Sequence, residues 1–175
     1  GLTSLTHIGN GAFCRLREAD FSRLTSLTHI GDKAFIALWT ADFSGLTSLT
    51  HIGNEAFWSL QTAIGFSRLT SLRHIGNEAF WGLREADFSG LTSLTHIGNE
   101  AFSDLREADF SGLTSLTHIG DRAFWGLQTA KGLEDLTNLK FVAIHTFGNP
   151  NIQKQVELIV LNNKKGKRKY ITTQL

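Results

Sequence analysis

The chain has 175 residues, of which 41% are hydrophobic and 19% charged, and its formal net charge is +1 at pH 7. A chain of this length is expected to form one domain. No run of about 18 apolar residues occurs, so the sequence predicts no membrane-spanning helix. The single cysteine, Cys14, excludes an internal disulfide.

The chain begins in the middle of a repeat. Because Gly1 already lies inside a unit and the sequence contains no methionine, we expect a mature product or an excised piece of something longer. No charged-then-apolar leader precedes the first unit. An upstream cap or domain is therefore expected to be missing.

A repeated tetrad divides the sequence into units of 22 or 23 residues. Leu-Thr-Ser-Leu begins at six positions and returns once as Leu-Thr-Asn-Leu, and the first residues are Leu2, Leu24, Leu46, Leu69, Leu91, Leu113 and Leu136. A period this short is typical of a solenoid, because so small a unit must stack on its neighbours to bury its apolar side. We predict a repeat array of about seven coils over residues 1–147, about 30 to 35 Å long at strand spacing.

Residues 79–100 show how one coil is expected to be built. Ala86 and Phe88 are two residues apart, which is strand periodicity, so we predict a short strand at residues 84–89. The Ile-Gly-Asn or Ile-Gly-Asp corner should then turn the chain, since Gly and Asn tolerate positive φ and Asn or Asp can bond its own backbone. One phenylalanine per coil should stack into an interior column, namely Phe13, Phe35, Phe57, Phe80, Phe102, Phe124 and Phe147.

Two coils carry one extra residue where the others read Ala-Asp-Phe. Residues 63–66 are Ala-Ile-Gly-Phe, and residues 130–133 are Ala-Lys-Gly-Leu. An extra residue with an adjacent glycine is typical of a β-bulge. We therefore expect the strand face to be interrupted at these two coils.

The repeat decays after Leu136, and residues 148–175 are expected to form a C-terminal cap. The apolar run at residues 156–161 is interpreted as a strand, residues 162–167 as a turn and residues 170–173 as a second strand. A strand or hairpin at this place would protect the open end of the stack. A disordered basic tail is the alternative.

The end of the chain is basic. Five positive charges and no acidic residue follow residue 161, which leaves 12 basic and 16 acidic residues in the array before it. Such asymmetry can mark a contact to nucleic acid, anionic lipid or an acidic partner, or only a solvated turn or tail. No aromatic residues are interleaved with the cluster, so binding to nucleic acid is not predicted.

Two phrases of the unit resemble a known family. Leu-x-x-Ala-x-Phe-x-x-Leu is similar to the strand segment of leucine-rich repeats, and Ile-Gly-x-x-Ala-Phe-x-x-Leu resembles the corner of the BspA-type subclass. Two positions depart from the pattern: the asparagine-ladder position is leucine, as at Leu24 and Leu91, and leucine replaces the cysteine usual after Ala-Phe. The resemblance implies leucine-rich-repeat-like coils with short parallel strands on one face. It also implies an extracellular or cell-surface role in adhesion or host contact.

Six histidines recur in register, at His7, His29, His51, His74, His96 and His118. At roughly 5 Å between coils, such a column could bind a divalent metal or respond to acid, and simple copying of an ancestral unit is the alternative. No cysteine or carboxylate within Thr-His-Ile completes a tetrahedral site, so we predict no metal. Cofactor motifs are absent from the sequence, and Ser, His and Asp recur in every unit without a distinguishing environment, so no enzyme is predicted.

The strand face is the first candidate contact surface. Residues flanking Ala86 should point outward, and stacked copies give a row of carboxylates with arginines nearby that can offset their repulsion. A cation or a basic partner could do the same. Exposed Trp and Arg most often carry interface energy. We therefore predict a partner-binding face made of Arg17, Asp20, Trp39, Asp42, Arg84, Asp87, Arg106 and Asp109.

A second candidate surface follows the core phenylalanine of each coil. The next residue varies among otherwise near-copied units, and it reads Cys14, Ile36, Trp58, Trp81, Ser103 and Trp125. We predict that Trp58, Trp81 and Trp125 form an aromatic patch. The alternative is that these side chains only shield the convex side of the coils.

The sequence thus predicts a non-catalytic module that binds a protein ligand. A self-assembling solenoid is the first alternative, because an open N-terminal coil could join the other end of a second chain into a head-to-tail filament. The recognition arm of a larger effector or enzyme is the second alternative.

Overall fold

The computed structural model describes the backbone of residues 2–172 and the side chains of residues 3–165. They form a parallel β-solenoid followed by one helix, which confirms the predicted repeat architecture. The strands are β1 (His7–Ile8), β2 (Glu18–Ala19), β3 (His29–Ile30), β4 (Thr40–Asp42), β5 (His51–Ile52), β6 (Thr62–Ile64), β7 (His74–Ile75), β8 (His96–Ile97), β9 (Glu107–Asp109), β10 (His118–Ile119), β11 (Thr129–Lys131) and β12 (Phe141–Val142). Helix α1 is Pro150–Thr172, and 3-10 turns lie at Leu2–Ser4, Phe66–Arg68 and Leu133–Asp135.

The longest sheet contains one two-residue strand from each of seven coils, in the order β1-β3-β5-β7-β8-β10-β12. All pairs are parallel, and like residues face like residues, as in His29 opposite His51 and Ile30 opposite Ile52. The isoleucines point into the core and the histidines outward. The sequence interpretation placed only a corner beside these residues, so it missed the continuous sheet of the molecule.

The face predicted to carry strands is discontinuous. It holds a three-stranded sheet, β2-β4-β6, and a two-stranded sheet, β9-β11. Residues 84–89 between them form no strand, so the prediction for that coil is wrong. The two lengthened coils do form strands: β6 pairs with β4, and β11 pairs with β9. The predicted interruptions at these two coils are therefore also wrong. Their extra residue is accommodated after the strand by Gly65 (φ 62°) and Gly132 (φ 64°), each of which opens a 3-10 turn.

The core is built on stacked phenylalanines. Rings of the predicted column follow one another at 5.4 Å from Phe80 to Phe102 and at 5.6 Å from Phe102 to Phe124. A second column meets the first edge-on, as where Phe88 contacts Phe102 at 5.2 Å. The interior column is thereby confirmed, except that Phe13 in the first coil is 42% exposed.

The Ile-Gly-Asn and Ile-Gly-Asp corners join neighbouring coils. The side-chain oxygen of Asn10, Asp32, Asn54, Asn77 or Asn99 accepts a hydrogen bond from the backbone N–H of the corresponding residue one coil further on. The expected bond to the residue's own backbone is therefore wrong. The corner residues instead form a hydrogen-bonded ladder between coils, although leucine occupies the position at which leucine-rich repeats usually carry the ladder asparagine. Positive φ falls on the following residue, as at Glu55 and Glu78 (both 54°).

A helix covers the last coil, which corrects the predicted strand or hairpin cap. Ile152, Val156 and Val160 lie four residues apart and are buried against the array, whereas Leu158 is half exposed. Gln153 bonds Phe147 and the Ala143 carbonyl. The predicted strand at residues 156–161 is helical, because the four-residue spacing of Ile152, Val156 and Val160 places these side chains on one face of a helix. Residues 170–172 belong to the same helix, and Thr173 lies outside the described residues. No helix within residues 2–172 is long and apolar enough to cross a membrane.

Candidate functional site

Three predicted strand-face residues meet around one groove near the N-terminal end. Arg17, Trp39 and Asp42 line a groove of about 540 Å³ together with Ile64. The guanidinium of Arg17 lies 5.7 Å from the Trp39 ring centroid, which is cation–π distance. Trp39 is nevertheless 58% exposed. A large apolar ring and a cation are thus presented together to solvent.

The predicted aspartates take part in local turns. Asp20, Asp42, Asp87 and Asp109 each accept a hydrogen bond from the backbone N–H of the serine two residues on, at 2.8 to 3.0 Å. The serine hydroxyl and then this N–H hold the pKa of each carboxyl below its ordinary value. These side chains therefore stay ionised while they stabilise the turn that follows the strand position.

The aspartates do not form one continuous row. Asp42 pairs in register with Ile64 of the next coil, and Asp109 pairs with Lys131. Asp87, Asp109 and Lys131 line a second groove, of about 500 Å³. Arg84 is exposed and lines neither this groove nor the one around Trp39. The strand face therefore carries two charged grooves, and the second of them includes Asp87 of the strandless coil.

The predicted aromatic patch is a stacked row on the neighbouring side of the coils. Trp58 and Trp81 are parallel to within 10°, with centroids 5.0 Å apart. Trp125 is 49% exposed, and the Arg122 guanidinium lies 5.8 Å from its centroid. Ser103 separates Trp125 from the other two along the row. The coils thus bring two tryptophans into contact and hold the third apart.

The two predicted surfaces are continuous with each other. Trp39 lines a groove of about 400 Å³ together with Trp58 and Trp81, and Arg106 lines a groove of about 940 Å³ together with Trp81 and Trp125. We call these residues and Arg17 the aromatic face; its members are Arg17, Trp39, Trp58, Trp81, Arg106 and Trp125. Sequence reasoning missed this link, although the residue after the core phenylalanine and the residue that opens the strand position, such as Ile36 and Trp39, lie only three residues apart in every unit.

The histidine column lies on the seven-stranded sheet. His7, His29 and His51 stack with centroids 4.5 Å apart, as do His96 and His118, whereas the rings on either side of His74 are 6.0 Å away and tilted. In five of the six histidines, a hydrogen bond joins the ring Nδ1 to the hydroxyl of the preceding threonine. These bonds fix the ring orientation.

Burial, followed by the positive charge of neighbouring members, lowers the pKa of His29, His74 and His118. These three side chains therefore favour the neutral imidazole. Within the described part of the chain, no three His, Cys, Asp or Glu side chains are grouped so that they could hold a metal ion.

Comparison with known proteins gives a family and a fold. The family model described as BspA type leucine rich repeat region (6 copies) matches residues 2–108 and 62–158. No curated protein matches the sequence. Six chains of solved structures match, and one of them is an internalin from Listeria monocytogenes strain 4b F2365, with 19% identity and a TM-score of 0.50. The match covers 81% of this chain and 41% of the internalin chain, so this chain spans about two fifths of that protein's length.

Proposed function

Because the chain belongs to the BspA-type leucine-rich repeat family, we propose that it is a non-catalytic module that binds a protein ligand through its aromatic face. The observation that carries the proposal is the position of Trp39, which is 58% exposed and lines two adjoining grooves. Family and fold support a repeat module of the protein-interaction or adhesion type. We place it, as part of the same proposal, at the cell surface or outside the cell.

The energetics of the aromatic face favour association. Burying apolar surface contributes about 25 cal/mol per Å², and tryptophan and arginine are the side chains most often found at the energetic centre of an interface. Arg17 is already held over Trp39 before any partner arrives. Since part of its conformational entropy is lost in the free protein, less is lost on binding. The aspartate-serine turns keep the flanking backbone in place.

A head-to-tail filament is less well supported. It needs the edge of the last coil, and Ile152, Val156 and Val160 of α1 are buried at that edge. A second chain would have to displace this helix before it could stack there. The role of recognition arm in a larger effector or enzyme is compatible with the proposal, since the same face would supply the binding.

The proposal is tested with matched pairs of exposed residues on the two sides of the solenoid. Trp39→Ala and Arg106→Ala change the aromatic face, whereas Phe141→Ala and Arg73→Ala remove similar exposed side chains from the side that carries the histidine column. Trp39 and Phe141 are 58% and 50% exposed. Each variant is immobilised and offered cell-surface proteins, and the bound protein is identified and its affinity measured.

We expect the Trp39→Ala variant to lose about 2 kcal/mol or more of binding energy, because exposed tryptophans at interface centres cost that much when truncated. Thermal midpoints of all four variants should stay close to that of the parent chain, since surface substitutions usually change stability by less than about 0.5 kcal/mol. Equal loss of binding in the Phe141→Ala variant would contradict the choice of face. Loss of folding in the Trp39→Ala variant would show that Trp39 stabilises the fold, and would contradict its role as a surface contact.

A further inference from the structure

The tryptophan row has one position without a ring. In four successive coils the residue after the core phenylalanine is Trp58, Trp81, Ser103 and Trp125. Ser103 is only 9% exposed, and it lines the groove of about 940 Å³ together with the two tryptophans that flank it. The groove therefore lies where the row would otherwise carry an aromatic side chain.

The coil spacing sets the width of this groove. Core phenylalanines of the same three coils follow at 5.4 Å and 5.6 Å. A flat ring above Ser103 would thus lie one coil step from Trp81 and one from Trp125. Trp58 and Trp81 stack at nearly this step, 5.0 Å, within the same row. The protein itself therefore supplies the template for an indole in this position.

The charges around the groove favour a neutral ring. Glu100, Asp104, Arg106 and Arg122 all line it, two of each sign. Glu100 is paired with Arg122 at 3.8 Å. The four charges sum to zero, so the groove offers neither a cation nor an anion a net electrostatic attraction. An indole needs no such attraction, and its N–H can donate a hydrogen bond to a lining carboxylate such as that of Asp104.

Arg122 does not close the groove. Its side chain is 54% exposed and its ion-pair distances, to Glu100 and Asp121, are 3.8 and 3.9 Å. Exposed ion pairs of this length contribute little to stability, so the guanidinium can move aside at small cost. Trp125, which lies under Arg122, is half exposed and offers its ring to an incoming group.

We propose that the groove between Trp81 and Trp125, here named the tryptophan slot, takes the indole of a tryptophan side chain of the protein ligand. The inserted ring would complete the row over Ser103, stacked between the two flanking indoles. The inference rests on the proposed function and specifies the chemistry by which the aromatic face recognises its partner.

The test uses the whole chain and a small probe, N-acetyl-L-tryptophanamide. The protein has four tryptophans, so its indole N–H groups give four NMR signals, which single Trp→Phe substitutions assign. We expect the probe to shift the signals of Trp81 and Trp125 along one saturable curve. The signal of Trp39, the exposed ring outside the slot, should move little.

Filling the slot should abolish this binding. Ser103→Trp supplies the absent ring and is expected to weaken probe binding at least tenfold, whereas Ser103→Ala leaves the slot open and should stay within twofold of the parent chain. Since Ser103 is buried, Trp125→Ala provides a second test at a half-exposed position and should weaken binding at least fivefold. Phe141→Ala is its matched control, because Phe141 is equally exposed but lies on the side that carries the histidine column, and it should bind the probe normally.

Several outcomes would overturn the assignment. Unchanged binding by both the Ser103→Trp and Trp125→Ala variants would place the probe elsewhere, and tighter binding of methyl β-glucoside would make the slot a sugar site. Concentration-dependent shifts of Trp81 and Trp125 without a probe would assign it to a second copy of the chain. Because the probe assay needs no partner, its failure leaves the capture result with Trp39 intact, and the two proposals fail separately.

Discussion

The side-chain oxygen of Asn54 accepts a hydrogen bond of 2.8 Å from the backbone N–H of Asn77, which lies one coil further along the solenoid. Bonds of this kind join successive coils from Asn10 to Asp121. They satisfy a backbone donor at each corner and hold the coils at strand spacing. The spacing in turn places the exposed rings of neighbouring coils within stacking distance of each other.

Replacement of one ladder residue should loosen one junction between coils. Asn77→Ala leaves the backbone N–H of Asn99 without its acceptor, which lies 2.8 Å away, and we expect a loss of about 1 kcal/mol of stability. Urea denaturation measures it. Asn77→Asp is the matched control, because Asp32 accepts the same bond from Asn54 at 2.7 Å. A loss in the aspartate variant as large as in the alanine variant would contradict this role.

Close approach of coils accounts for the glycine before each ladder residue from the second coil onward. A Cβ on Gly98 would lie 2.6 Å from the backbone nitrogen of Asn77, so Gly98→Ala should cost roughly 1 to 3 kcal/mol. Gly9 occupies the same position in the first coil, where nothing lies within 4 Å. Gly9→Ala should therefore leave the thermal midpoint nearly unchanged. Equal losses for the two variants would contradict a role for close contact between coils.

The helical cap should contribute to stability through its buried face. Val156 is fully buried, and Val156→Ala is expected to cost about 2 kcal/mol. That corresponds to a fall of roughly 4 to 8 °C in thermal midpoint for a chain of this size. Leu158→Ala, on the half-exposed side of the same helix, should change it by less than about 0.5 kcal/mol. The reverse order of the two effects would mean that the helix packs by its other face.

The histidine column should make stability fall in mild acid. The pKa of His29 lies below its ordinary value in the folded chain, so between the two values the unfolded chain binds more protons. Stability is then full above pH 6.5 and is lost as the pH falls through the folded value. His29→Gln should lessen the loss measured by urea denaturation between pH 7 and pH 5. His145→Gln, off the column, is the control, and the same effect there would contradict the assignment.

The aspartates act in a separate, more acidic range. Their lowered pKa values mean that the stability they contribute is present above about pH 4 and is lost as the pH falls through the folded values. The histidine effect is therefore measurable without interference above pH 5. A transition near pH 6 in a chain with all column histidines replaced would contradict this separation.

The sequence predicts what depends on its period alone. A repeat of 22 or 23 residues dictates a stack, and one phenylalanine per unit dictates a column, since equivalent residues must superimpose. The sequence does not identify the hydrogen-bond donor of the corner asparagine, because its side chain can bond either its own backbone or a backbone N–H 22 or 23 residues away. Only the packed coils decide between the two.

Other features needed the three-dimensional course of the chain. The apolar run at residues 156–161 fits a strand or a helix, although Asn149, which caps the helix, and Pro150 at its first position gave a usable signal. The link between Trp39 and Trp58 depends on how sharply each coil bends. Within one unit the two positions, such as Ile36 and Trp39, are three residues apart, and this spacing is compatible with several such bends. The sequence alone therefore does not join the two candidate surfaces.

Hydroxyl-radical footprinting of the chain with its captured partner tests the choice of binding face most directly. Trp39, Trp125 and Phe141 are 58%, 49% and 50% exposed in the free chain, so all three side chains should be oxidised readily. With the partner bound, we predict that oxidation of Trp39 and Trp125 falls severalfold while that of Phe141 is unchanged. Protection of Phe141 with Trp39 and Trp125 still reactive would contradict the account.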